Sequence, residues 1–238
     1  QDEPLPYRLV VIEDGRITSV DVDTGDAPSG IPLLDLTDYT CLPGLINTHV
    51  HFDSRAGDAT DYSVYYRRTA QDHRELALDI AEETLQTGIT TVRNVGAWFP
   101  DAIYFARDEI RTGRAPGPRI RTAGPYLTIP GGGGDLTFPE IPPDKIPPEA
   151  QTGIASTPAE FGERAAAAIA NGADFLKVIA SGAVFSVGTD PGAPEMSQAD
   201  IEAVVAVAKE AGARVVRHPE SLGNGAAVKA GARAATGD

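Results

Sequence analysis

His49 and His51, separated by a single valine, close the stretch Leu42-Pro43-Gly44-Leu45-Ile46-Asn47-Thr48-His49-Val50-His51-Phe52-Asp53. Side chains alternate along a strand, so the two imidazoles leave on one face and Val50 on the other. Two imidazoles converging at the carboxyl end of a buried strand make half of a divalent-metal site. Taken alone, the pair also suits two hydrogen-bonded histidines at a strand's rim. Two further candidate ligands lie far along the chain. Lys177 stands inside the apolar run Phe175-Leu176-Lys177-Val178-Ile179, and His218 ends Arg214-Val215-Val216-Arg217-His218. Burial of a lysine in a strand is costly for the cation and lowers its pKa. A lysine snorkelling from a strand end or held in a salt bridge would carry no chemistry.

The elements that must position these residues follow from periodicity and punctuation. Leu9 to Ile12, the turn Glu13-Asp14-Gly15 and Arg16 to Val20 read as a hairpin, with a further short strand at Leu34 to Leu36. From Gly44 onward strand and helix alternate. The first strand ends at His51, and one long helix is predicted from about Ser63 to Thr87, with Gly88 after it. Ile89 to Val95 is the second strand, Asp101 to Thr112 a helix, and Arg119 to Ala123 the third strand. Residues Gly124 to Ser156 read as a long loop whose four glycines, 131 to 134, suit a flexible segment better than an anion nest. Thr157 and Glu160 mark a capping box before a helix ending at Asn171-Gly172, and Ser197 and Asp200 mark a second one. Phe175 to Ile179 is the fourth strand and Arg214 to His218 the fifth. A short helix from Leu222 to Ala230 and a stub of a sixth strand at Ala232 to Ala235 complete the reading.

Consecutive β-α units imply a parallel sheet with right-handed crossovers. No Gly-x-Gly-x-x-Gly follows the first strand, which argues against a dinucleotide fold. Candidate ligands at several strand ends fit the mouth of a barrel. His73, among Asp72, Arg74 and Glu75, reads as a solvated residue without a role.

The formal net charge of −14 disfavours nucleic acid and anionic membrane surfaces as partners. No apolar stretch reaches the roughly 20 residues needed to cross a bilayer. Cys41 is the only cysteine, so no intrachain disulfide forms. Met196 is the only methionine, so Gln1 is not an initiator and the start reads as processed, trimmed or incomplete. Cytoplasm is the default compartment.

Four segments together resemble the amidohydrolase superfamily of metal-dependent hydrolases, in its imidazolonepropionase-like and Xaa-Pro or Xaa-Arg dipeptidase branch. They are Thr40 to His51, Gly88 to Gly96, Phe175 to Gly182 and Gly212 to His218. The resemblance implies a (β/α)8 TIM-type barrel with a small β-sandwich. Residues 1–40 would be part of that sandwich and 41–238 the barrel, incomplete at five to six strands, with its edge and interior exposed. It also implies His49 and His51 on one metal, Lys177 carboxylated by CO2 so that its carbamate bridges two metals, and His218 on the second. Zinc is the first choice for a nitrogen-rich set, with iron, manganese and cobalt also compatible.

The chain departs from the family pattern at several points. His218-Pro219-Glu220 stands where the family commonly has His-x-His, and Ala234 to Asp238 holds no sixth-strand histidine. Gly133 stands where a histidine is frequent, and the general-base aspartate of the eighth strand is expected beyond the chain end. The reading is therefore a metal-dependent hydrolase of amide or peptide-like C–N bonds, using a binuclear centre and bridging hydroxide on a small-molecule or dipeptide-like substrate, and possible as a homo-oligomer. One alternative is an inactive or truncated barrel that keeps only scaffold or metal binding. Another is a hydrolase of cyclic amides, lactones or phosphoesters.

Overall fold

The structure is a computed structural model that describes residues 5–26, 29–137, 141–183 and 189–213. His218, Glu220 and the elements predicted after Gly212 lie outside the described residues. The chain divides into two units, Gln1–Gly44 and Leu45–Asp238.

In the first unit, strands β1 (Arg8–Glu13) and β2 (Arg16–Val22) form an antiparallel hairpin. Asp14 and Gly15, with φ of 49° and 72°, make the two-residue turn whose twist matches the strands. The strand predicted at Leu34 to Leu36 is not formed. Instead the Asp35 carboxylate accepts the Thr37 backbone N–H at 3.0 Å, turning the chain where extended pairing was expected.

In the second unit, β3 (Leu45–Val50), β4 (Ile89–Asn94) and β5 (Arg119–Thr122) pair in parallel in that order. A second parallel pair joins β6 (Tyr126–Leu127) to β7 (Lys177–Val178). The chain runs from β5 through Ala123–Pro125 directly into β6. Asp174 N–H donates to the Thr122 carbonyl at 2.8 Å, and Ile179 N–H to that of Leu127 at 2.9 Å. The predicted loop 124–156 therefore contains a strand at its start, one too short for periodicity to reveal. β7 is shorter than the predicted Phe175–Ile179 run because its partner β6 offers two residues. Among the described residues the strands of this unit form a three-stranded sheet and a separate two-stranded pair, and no closed barrel.

Among the described residues five α-helices accompany the strands: α1 (Ser63–Arg67), α2 (Ala70–Gln86), α3 (Pro100–Arg111), α4 (Pro158–Ala170) and α5 (Gln198–Glu210). The single helix predicted over 63–87 is thus two. Arg68 is extended (ψ 134°), and the Thr69 hydroxyl accepts from Asp72 N–H while the Asp72 carboxylate accepts from Thr69 N–H. That reciprocal cap starts a new helix, and the bidentate Arg68–Asp58 pair at 2.9 and 3.1 Å holds the break. The box at Ser197 and Asp200 closes fully, whereas the one at Thr157 closes by half. There Glu160 Oε2 reaches Ser156 N–H instead.

The core lies between sheet and helices. Val92 and Ile120 pack with Phe52, Ala77, Ala81, Ala102, Ile103 and Ala106, and Leu127 packs with Phe161, Ala165, Met196 and Val204. Alternation then sends Arg93 to the face opposite the helices. Register does the same for the candidate ligands. Val50 pairs with the buried Asn94, so His49 and His51 face away from the helices. Leu127 pairs with Val178, which leaves Tyr126 and its partner Lys177 on that same inner face. One expectation is corrected here: β3 is not buried, with Leu45 58% and Ile46 69% exposed. Among the described residues it is an end strand with a parallel partner on one side only.

Candidate metal centre

Three of the four sequence-predicted ligands meet in one cavity of about 320 Å³. His49, His51 and Lys177 line it together with Trp98, Tyr126, Gly133 and residues of the segment following β7. The two imidazole centroids lie 5.3 Å apart at an interplanar angle of 73°. His51 places Nδ1 3.1 Å from the Gly96 carbonyl and 2.7 Å from the Tyr126 hydroxyl. A carbonyl only accepts, so the Gly96 contact calls for the proton on Nδ1 and leaves Nε2 with its lone pair. Lys177 is half-buried and has no ion-pair partner among the described residues.

The electrostatics favour uncharged nitrogens. Burial pushes the His51 pKa below its ordinary value, and the nearby Lys177 adds to this against the Gly96 carbonyl. His49 is lowered first by burial and then by His51, Lys177 and Arg93. Lys177 is lowered by burial and by the Arg93 guanidinium. Arg93 is fixed on the inner face, donating through Nε to the Thr48 carbonyl at 2.9 Å and lying over the Phe175 ring.

Imidazoles whose charged form is disfavoured, one of them oriented through Nδ1, and a lysine with no ion-pair partner among the described residues form a donor set that fits a divalent ion. Carboxylates are absent from the cavity lining among the described residues, and no group of three His, Cys, Asp or Glu clusters there. The set is therefore two histidines and the lysine nitrogen, with His218 outside the described residues.

Several neighbours of the site escaped sequence reasoning. Tyr126 fell within the predicted loop, although it stands in register with Lys177. Asp53 is fully buried beside the histidines; Oδ2 accepts the Trp98 backbone N–H at 2.8 Å and Oδ1 has no partner among the described residues. Burial raises its pKa to about 6 against the pull of the Trp98 N–H. The Asp that directly follows His-x-His-Phe was the only signal for it. His73 is not solvated. It is buried at 2% exposure, stacks on Phe99 at 3.8 Å and places Nε2 3.2 Å from the Tyr65 carbonyl. Its polar sequence neighbours misled, because they sit on the other faces of α2.

The four glycines are neither a flexible segment nor an open anion nest. Gly131 N–H donates to Asp135 Oδ2 at 2.8 Å, Gly132 N–H to the Ile129 carbonyl at 2.9 Å and Gly133 N–H to Glu195 Oε2 at 2.9 Å. The turn is buried from Gly132 to Leu136. A Cβ at Gly133 would lie 3.1 Å from both Ala183 Cβ and Ile179 Cγ2, so a side chain there requires these neighbours to give way by a few tenths of an ångström.

Residues 40–238 match the amidohydrolase family. The sequence matches no curated protein. Among solved structures, the chain is similar to a Xaa-Pro dipeptidase with bound methionine in its active site, at 31% identity and a TM-score of 0.74, over 85% of this chain and 49% of that one. A prolidase complexed with N-methylphosphonate-L-proline matches at 26% identity and a TM-score of 0.70, over 87% and 50% of the respective chains. Molinate hydrolase matches at 26% identity and a TM-score of 0.70, over 87% and 48%. The chain thus spans about half the length of these structures. Its fold is of the TIM-barrel-like α/β class, and the described strands form an open part of it. Family match and shared fold agree over the same residues: the chain belongs to the amidohydrolase family.

Proposed function

We propose that this chain supplies part of the metal centre of a metal-dependent hydrolase acting on an amide or peptide-like C–N bond. The convergence of His49, His51 and Lys177 on one cavity is the observation that carries this reading. His49 and His51 would hold one divalent ion and His218 a second, with Lys177, as its carbamate, between them. Zinc suits the nitrogen-rich set. When bound, two such ions would supply an activated water and a Lewis acid for the scissile carbonyl. The protein's own part is to disfavour the charged form of both imidazoles, to hold the His51 ring through Nδ1, and to disfavour the Lys177 cation by burial and the nearby Arg93. The relatives named for a Xaa-Pro dipeptide, a proline analogue and molinate support a small-molecule or dipeptide-like amide substrate. Residues 1–40 are assigned to a β-sandwich and the rest to the barrel.

A second reading, metal binding without turnover, is favoured by the lack of a carboxylate in the cavity lining among the described residues. Metal content of the purified chain and of His49→Ala, His51→Ala and Lys177→Ala tests the site. Stoichiometric metal in the parent that is lost in each variant supports it, and equal metal in all four overturns it. Hydrolysis of Xaa-Pro dipeptides by the metal-loaded chain separates the two readings.

A further inference from the structure

The geometry points to Tyr126 as a positioning residue for His51, holding the ring in its Nδ1–H form so that Nε2 faces the cavity. This rests on the reading of His51 as a metal donor and deepens it. The Tyr126 hydroxyl is the shorter of two contacts to Nδ1, 2.7 Å against 3.1 Å for the Gly96 carbonyl. Gly96 fixes which way the proton must point, because a carbonyl has none to offer. The phenol oxygen then accepts from the same N–H as a second partner. Two acceptors on Nδ1 fix both the tautomer and the ring rotation, which one alone does loosely.

The phenol is itself held in a built slot. Tyr126 pairs with Lys177 across β6 and β7, which puts the ring on the inner face. A Cβ at Gly96 would lie 2.5 Å from Tyr126 Cδ1, and one at Gly134 would lie 2.8 Å from Tyr126 Cβ. Trp98 closes another side, with ring centroids 5.6 Å apart. Its ring is in turn anchored by Nε1 donating to the Gly134 carbonyl at 3.0 Å. The hydroxyl therefore cannot leave Nδ1 without the whole aromatic wall shifting.

A buried phenol that merely needed a hydrogen-bond partner would show the same contact, so the test must separate positioning from packing. Tyr126→Phe removes the oxygen and keeps the ring. Tyr66→Phe serves as the control, since Tyr66 donates to the Leu136 carbonyl away from the cavity lining. Zinc affinity is measured on the full chain by chelator competition, with far-UV circular dichroism and melting to verify folding. Tyr126→Phe is expected to weaken zinc binding roughly 10–100-fold while Tyr66→Phe leaves it unchanged. An affinity within twofold of the parent for folded Tyr126→Phe overturns the proposal, as does an equal loss in both variants. Nitrogen-15 spectra of the metal-free parent and of metal-free Tyr126→Phe give a readout that needs no metal. A proton on His51 Nδ1 in the parent that is partly shifted to Nε2 in Tyr126→Phe supports the proposal, and a proton on Nε2 in the parent, or the same Nδ1 occupancy in both, overturns it. Should zinc affinity prove insensitive to His51→Ala, the metal reading fails, and the same spectra still judge the role of Tyr126.

Discussion

Asp174 and Thr122 exchange two hydrogen bonds: Asp174 N–H donates to the Thr122 carbonyl at 2.8 Å, and Asp174 Oδ2 accepts the Thr122 N–H at 2.9 Å. The same carboxylate pairs with Arg121 at 2.9 Å and Arg107 at 3.4 Å. This clasp joins the end of β5 to the segment that becomes β7, three residues before Lys177. Asp174→Ala leaves the fully buried Thr122 without its N–H acceptor, a loss of about 1–3 kcal/mol, with the loosened arginines adding to it. Urea unfolding checks the stability. Zinc affinity checks the displacement of Lys177, and both are expected to fall together.

His73 gives the fold a pH dependence of known sign. Burial lowers its pKa in the folded protein, while Nδ1 has no partner among the described residues. A depressed histidine contributes stability that is present above the unfolded value of about 6.5 and is lost as pH falls through the lower folded value. Asp53 acts in the opposite sense, since its contribution is full below 3.8 and is lost as pH rises through about 6. The difference between parent and His73→Gln isolates the histidine. Melting temperatures from pH 8 to pH 5 are expected to fall more steeply for the parent than for the variant.

Lys177 opposes folding in the absence of metal. Its folded pKa is lowered by burial and Arg93, so its contribution is present above about 10.5 and is lost as pH falls through the lower folded value. Lys177→Met replaces the half-buried cation with an apolar chain of similar length. The metal-free variant is expected to melt higher than the parent at pH 7, with the gain shrinking toward pH 10.5. The same variant is expected to lose zinc, the exchange of stability for function common at such sites.

Gly96 has φ of 114°, a conformation that L side chains rarely adopt, and its inward space is occupied by the Tyr126 ring. Gly96→Ala is expected to destabilise by about 1–3 kcal/mol from backbone strain alone. The displaced ring adds to that figure. Gly15→Ala makes a useful comparison, because its positive φ of 72° faces open space. Equilibrium unfolding should rank Gly96→Ala well below Gly15→Ala.

The parts of the fold legible in the sequence were those with local signatures. The Asp14-Gly15 hairpin, the Ser197–Asp200 cap and the glycines at 88 and 212 are fixed by nearest-neighbour chemistry. So was the common face of His49 and His51, which follows from alternation. What escaped depends on partners distant in sequence. The two-residue strand at Tyr126 exists because Lys177–Val178 lies beside it. The Gly131–Gly134 turn is ordered by Glu195, more than sixty residues away. His73 is buried by Phe99, the residue that precedes α3. The Thr69–Asp72 cap alone was readable and was masked by apolar periodicity that runs on across it.

The glycines around Tyr126 tie the evolutionary choices at three positions to one another. A methyl group at Gly96 and the phenol ring of Tyr126 claim the same volume, while one at Gly134 meets the Tyr126 Cβ that every residue but glycine carries. A homologue with a small residue opposite its half-buried lysine relieves the first clash and keeps the second. It would then have to find another way of steering the second histidine of its pair.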